Sequence, residues 1–294
     1  MIEPELVLEA RRAELPGGLA VRRALPRRQR RMVGPFVFVD QMGPVAVEPG
    51  REFTVLPHPH IGLSTLTYLF EGEGLHRDSL GSVQRLLPGE VNWMTAGRGV
   101  VHSERLRAAA SRVFGVQIWV ALPRDLEECD PSFDHYGADA VATVQEGDVT
   151  LRIIAGSLFG ARSAVRVSSP LFYVEALLPP GAELAVPDEY PERAVFVVEG
   201  ALTVGTTRLH SGVLAFLPAG LAVPCRAQES TRLLLLGGTP LEGPRHILWN
   251  FVSSSQERLA RAADDWRHLR FPRIPGETAY IPLPQDGHEP VNYP

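Results

Sequence analysis

His58-Pro59-His60 and His102-Ser103-Glu104 each place two metal-grade side chains at positions i and i+2. On a β-strand, residues two apart point to the same face, so each string aims both of its side chains at one point. Two such strands side by side would close one mononuclear site from three imidazoles, His58, His60 and His102, and one carboxylate, Glu104. That ligand mix suits Fe, Mn, Ni, Cu or Zn; Ca and Mg prefer shells made of oxygen alone. Pro59 biases His58 toward extended backbone and withholds one ladder hydrogen bond, which predicts an edge strand or a bulge here. A single histidine is ordinarily a packing or surface residue. Two i, i+2 pairs, each bounded by Gly or Pro, are much harder to obtain by chance.

The elements that must carry these strings are strands. Gly and Pro are frequent, 27 and 26 residues, and separate short apolar runs, the punctuation of an all-β chain. Runs at 64–70, 91–94, 99–104 and 113–120 read as strands in the first half, and 171–177, 194–198, 201–204, 213–217 and 232–236 in the second. The halves echo each other: Tyr68-Leu69-Phe70-Glu71-Gly72 matches Phe196-Val197-Val198-Glu199-Gly200. This predicts a duplicated module, with domains at 1–134 and 135–294. The second copy lacks an H-x-H string, and His210, His246, His268 and His288 are scattered, so only the first is expected to hold metal. Ser254 and Glu257 fit a capping box, and Leu259, Ala263, Trp266 and Leu269 recur at helical spacing. A helix of about five turns at most is expected there, followed by a Pro-rich strap over 272–294.

Composition narrows the function classes. The chain has no lysine, which excludes Schiff-base chemistry and a G-x-x-x-x-G-K-[ST] phosphate loop. Net charge is −5, so general nucleic-acid affinity is not expected. The local exception, Arg22, Arg23, Arg27, Arg28, Arg30 and Arg31, is a basic arm or, as the favoured reading, a loop paired with the chain's own acids. Cys129 and Cys225 are far apart and form neither a zinc ribbon nor an expected disulfide. No apolar run spans a bilayer and no secretory signal is visible, so a cytoplasmic location is expected and no membrane partner.

The surrounding residues narrow the reading further. Val33-Gly34-Pro35-Phe36, His58-Pro59-His60-Ile61-Gly62-Leu63, His76-Arg77-Asp78-Ser79-Leu80-Gly81 and Trp93-Met94-Thr95-Ala96-Gly97-Arg98-Gly99 lead into His102-Ser103-Glu104. Gln117-Ile118-Trp119-Val120-Ala121-Leu122-Pro123 and Trp249-Asn250-Phe251-Val252 extend the likeness over nearly the whole chain. Together they resemble the pirin family, a bicupin branch of the cupin superfamily. The resemblance implies an all-β fold of two cupin β-barrel or jelly-roll domains with a short C-terminal helix and strap. It implies iron as the usual metal, with ligands at His58, His60, His102 and Glu104. Many cupins carry a further glutamate where this chain has Ser64 or Thr65, so the anionic ligand is expected from Glu104. His76 and Asp78 form a third i, i+2 pair; the family pattern puts them outside the ligand set, with a rim or structural role. Asn92, Thr95, Gln117 and Trp119 are expected around the site.

Two function classes follow from the resemblance. Some pirins resemble quercetin 2,3-dioxygenases, which cleave the central ring of a flavonol with release of carbon monoxide. That reading needs Fe(II), a flavonol-like substrate and dioxygen, with Glu104 as the base for the 3-hydroxyl. Other members are described as iron-dependent regulators, which implies a redox-sensing site, a protein partner and no turnover. A deep apolar cleft favours the first, and a shallow arginine-rimmed mouth the second.

Overall fold

The computed structural model describes residues 2–48, 50, 52–108, 112–284 and 291–292. The chain divides into two compact units that exchange segments. One comprises Met1–Arg12, Arg22–Gln41 and Tyr136–Leu241, and the other Ala13–Val21, Met42–His135 and Glu242–Pro294. The second of these carries both metal strings. Its central strands are β1 (Glu52–His60), β2 (Leu63–Glu71), β3 (Glu73–Asp78), β4 (Val83–Leu86), β5 (Val91–Thr95), β6 (Val100–Arg107) and β7 (Arg112–Ala121). The other unit contains β8 (Glu183–Val186), β9 (Glu192–Glu199), β10 (Ala201–Val204), β11 (Thr207–His210), β12 (Val213–Leu217), β13 (Val223–Ala227) and β14 (Thr231–Gly238).

The strand orders show the duplication directly. One unit has a four-stranded sheet in the order β1-β6-β3-β4, and the other has β8-β13-β10-β11. In the unit with the histidine strings β2 lies between β5 and β7, and in the other β9 lies between β12 and β14. The sheets are open layers rather than closed barrels, the jelly-roll form of the cupin fold. As the prolines predict, β1 is an edge strand, and the β1–β6 register slips by one residue at Leu56-Pro57.

Register also explains why only one unit keeps a metal string. His60 pairs with Val100 and His58 with His102, whereas Val186 pairs with Val223 and Leu184 with Cys225. Leu184, Val186 and Cys225 therefore stand where His58, His60 and His102 stand in the other unit. All three are buried in one apolar core with Leu202, Leu209 and Leu233. Burial pushes the Cys225 thiol up to about 12, so it packs as a neutral apolar group.

Among the described residues the one α-helix is α1 (Gln256–Arg267), 12 residues long and within the length expected from the sequence. Its cap is Ser255, not Ser254: the Ser255 hydroxyl accepts from the Arg258 amide at 3.2 Å and donates to Glu257 at 2.8 Å. The helix and the chain after it, read above as an appendage of 135–294, belong to the unit that carries His58, His60 and His102. Leu259, Ala262, Ala263 and Trp266 bury their face against Ile61, Val101 and Phe251. The strap does more than wrap the surface, since Ile274 and Leu283 enter that same core. His288 and the strap residues 285–290 and 293–294 lie outside the described residues.

Ser254 is claimed by a buried carboxylate instead. Glu127 accepts from the Ser254 amide and hydroxyl, from the Ser253 hydroxyl and from Arg245 at 3.0 Å. Glu127→Gln keeps the shape but removes the charge that faces the buried guanidinium. It is expected to cost about 1.5–3 kcal/mol, the worth of hydrogen bonds to a charged group, measurable by urea unfolding.

The arginine-rich segment is mostly tied to its own unit. Arg23 makes a two-pronged pair with Asp40 at 2.9 and 2.8 Å, and Arg30 bonds Glu192 at 2.7 Å. Arg22 donates to Ser211, and Arg27 to the Glu9 carbonyl. A free basic arm is thus not what this segment forms. Among the described residues no helix is long and apolar enough to cross a membrane.

Candidate metal centre

The structure brings His58, His60 and His102 together. One nitrogen from each lies within 4.8 Å of the others, and all three rings are buried. His58 and His102 sit directly opposite each other on β1 and β6, with ring centroids 4.4 Å apart. Two of the imidazoles are oriented from behind. His58 Nδ1 donates to the Leu56 carbonyl at 2.8 Å, and His60 Nδ1 to the Asn250 carbonyl at 3.1 Å. Each bond fixes the tautomer that leaves Nε2 with a free lone pair toward the cluster. Burial pushes the His60 and His102 imidazoles well below their ordinary range and lowers His58 as well. Neutral imidazoles are the form a metal requires.

This donor set fits a transition metal. The Nε2 atoms of His60 and His102 are 3.1 Å apart. With metal–nitrogen bonds of about 2.1 Å, such a pair subtends about 95° at a shared ion, an ordinary ligand angle. Three buried imidazole nitrogens converging without a carboxylate between them form a site able to hold a single transition-metal ion.

Glu104 stands beside this cluster rather than within it. Its half-buried carboxylate accepts from the Gln117 amide at 2.7 Å and from the Thr67 hydroxyl at 3.1 Å. On β3, His76 pairs with Glu104 and Asp78 with His102, so all four share the interior face. His76 and Asp78 are buried, not on a rim. His76 Nε2 donates to Asp78 at 2.8 Å, and its ring stacks on Phe133 at 4.2 Å. Burial opposes the Asp78 charge. Hydrogen bonds from His76 and the Ser82 amide outweigh it and hold the carboxyl below its usual range.

The remaining expected neighbours divide. Trp119 meets His60 edge-on at 5.2 Å, and Gln117 reaches Glu104. Asn92 bonds His135 at 2.8 Å, while Thr95 bonds Ser64 at 3.0 Å. Ser64 is fully buried there and supplies no carboxylate. Sequence reasoning missed Leu56 and Asn250, which act through backbone carbonyls and leave no side-chain signature. It also missed Phe133, whose place beside His76 depends on the fold. Beside Glu104 lies a space of only about 10 Å³, lined by Thr67, Leu75, His76, Leu86, Asn92 and Leu106. That is about the room of one water molecule, far below the roughly 300–1,000 Å³ of small-molecule pockets.

Paired jelly-roll units, one with a buried three-histidine cluster and one with its counterpart filled by apolar side chains, define a bicupin with, among the described residues, one candidate metal centre. Comparison with known proteins gives the family. Residues 18–120 match the family model for Pirin and residues 173–272 that for the Pirin C-terminal cupin domain, and the chain belongs to the pirin family. A pirin-like protein of Caulobacter vibrioides is 50% identical over 290 residues, covering 96% of this chain and 99% of its own. A quercetin 2,3-dioxygenase from Acinetobacter baumannii superposes with TM-score 0.89 at 33% identity, covering 94% of each chain. A second A. baumannii quercetin 2,3-dioxygenase structure gives TM-score 0.84 at 28% identity, over 92% of this chain and 98% of that one.

Proposed function

We propose that this protein is an Fe(II)-dependent dioxygenase of the quercetin 2,3-dioxygenase type, acting on a flavonol-like substrate in the cytoplasm. The observation that carries the reading is the buried histidine cluster, set in a chain that superposes over 94% of its length on an A. baumannii quercetin 2,3-dioxygenase. His58, His60 and His102 would hold the ion, with Glu104 as its anionic ligand and as the base. When bound, the metal supplies Lewis acidity and a route for electrons between substrate and dioxygen. Everything else falls to the chain. Glu104 takes the proton of the flavonol 3-hydroxyl, and Gln117 and Thr67 hold its carboxylate in place for that transfer. His76, stacked on Phe133, forms part of the wall of the space, and Leu75, Leu86 and Leu106 on the same wall limit the water that reaches the reacting atoms.

A three-ring substrate needs far more room than the space of about 10 Å³ beside Glu104 provides, so the lining must move to admit it. The same tightness favours a second reading, a redox-sensing iron protein that acts on a partner protein. On that reading the contact surface lies elsewhere than the arginine segment, whose side chains are largely engaged.

Adding quercetin anaerobically to Fe(II)-reconstituted protein, then oxygen, tests both. The expected result is metal-dependent loss of flavonol absorbance with stoichiometric carbon monoxide. Bound, redox-active iron with no turnover would overturn the dioxygenase reading in favour of the regulator.

A further inference from the structure

The C-terminal part of the metal-bearing unit grips the His58-Pro59-His60 strand at several points. The Ile281 amide donates to the Pro57 carbonyl at 2.9 Å, and the Val252 amide to the Ile61 carbonyl at 3.2 Å. Gly62, at φ +67°, lies so close that a Cβ there would sit 2.0 Å from the Val252 carbonyl oxygen. The contact from the Asn250 carbonyl to His60 Nδ1 reaches an imidazole of the cluster itself.

Asn250 belongs to a tight hairpin. Strands β15 (His246–Leu248) and β16 (Phe251–Ser253) pair Leu248 with Phe251, leaving Trp249 and Asn250 as a two-residue turn. Trp249 has φ +51°, while Asn250 does not enter the left-handed region. A turn with positive φ at its first central residue ordinarily takes glycine there, and a bulky side chain in that conformation is a genuine outlier. Packing holds it. The Trp249 ring is edge-on to Phe251 at 5.7 Å and lies against Trp266 on α1 at 6.4 Å.

We propose that Trp249 is a positioning residue for the metal centre: its left-handed backbone aims the Asn250 carbonyl at His60 Nδ1 and thereby sets metal affinity. The inference rests on the metal reading of the histidine cluster. The carbonyl keeps the His60 proton on Nδ1 and the Nε2 lone pair turned toward His102, so the imidazole is ready before an ion arrives. Strain at a ligand-orienting turn is where a packed fold typically stores it.

Two substitutions separate backbone from ring. Trp249→Gly and Trp249→Val both delete the indole, but glycine adopts positive φ freely and a β-branched residue resists it. Co(II) affinity, measured by competition with a chromophoric chelator, is expected to fall about 10–100-fold in Trp249→Val, the range for lost outer-shell partners. Trp249→Gly is expected to stay within a few-fold of wild type, although it has lost the same packing. Melting curves on both variants establish that each is folded. If valine prevents folding, Trp249→Ala takes its place, with weakening expected between the two. Equal loss in the glycine variant and its β-branched or alanine counterpart, or no loss in either, would overturn the proposal. Failure of the wild-type protein itself to bind Co(II) would instead bring down the metal reading, and the proposal with it.

Discussion

His102→Leu is expected to abolish metal binding while leaving the metal-free protein as stable as wild type, or more so. His102 is one of three converging imidazoles, and its removal leaves two neutral donors. The loss of affinity should exceed the roughly 100-fold that outer-shell partners are worth. Stability should not follow affinity, because His102 is an awkward residue in the absence of an ion. Its Nδ1 is buried without a hydrogen-bond partner among the described residues. An unsatisfied buried polar atom costs about 1–3 kcal/mol, and leucine removes it. The chain already contains the precedent: Cys225 occupies the same register position in the other unit, opposite Leu184, inside a closed apolar core. Thermal melts with and without added metal read both halves of the expectation. Wild type should gain about 2.7 kcal/mol at a metal concentration 100 times its Kd, and His102→Leu nothing. A metal-dependent shift that survives in the variant would remove His102 from the ligand set.

How much of this was legible in the sequence depends on which force set each feature. The two i, i+2 strings were readable because strand periodicity alone places their side chains on one face. The edge position of β1 was readable because Pro59 cannot donate to a ladder. The duplication could be seen in the matching Glu71-Gly72 and Glu199-Gly200 strand ends, and the repeated sheet order bears it out. By contrast, the strand Leu19–Leu25 was hidden. Its buried Leu19 and Val21 alternate with exposed Ala20 and Arg22, and the arginines read as loop. The carbonyls of Leu56 and Asn250 could not be found at all, since any residue type supplies one. The position of Glu104 was only half visible. Its spacing from His102 predicts the shared face, but the slip at Leu56-Pro57 and the hold of Gln117 and Thr67 are tertiary facts. Helix capping went one residue astray for a similar reason: Glu127, distant in sequence, takes Ser254 and leaves the cap to Ser255.

Glu104→Gln is expected to lower quercetin turnover by about 10²–10⁴-fold, the usual worth of a positioned general base, while the protein stays folded. The local network tolerates the change. Thr67 and Gln117 both donate to the carboxylate, and a glutamine at 104 offers one acceptor oxygen and one donor group. A flip of the Gln117 amide then presents its oxygen to the new donor, so the substituted side chain keeps a partner. What the variant cannot do is accept the 3-hydroxyl proton. Metal content separates the two roles assigned to this side chain. Glu104 lies outside the tight histidine cluster, so its neutralisation should weaken metal binding far less than His102→Leu does. Glu104→Asp supplies the control: it keeps the charge but withdraws the oxygens from Gln117, so turnover should fall between wild type and Glu104→Gln. Unchanged turnover in Glu104→Gln would take the base role away from this residue. Collapse of metal content to the level of His102→Leu would show instead that the carboxylate works chiefly as a ligand.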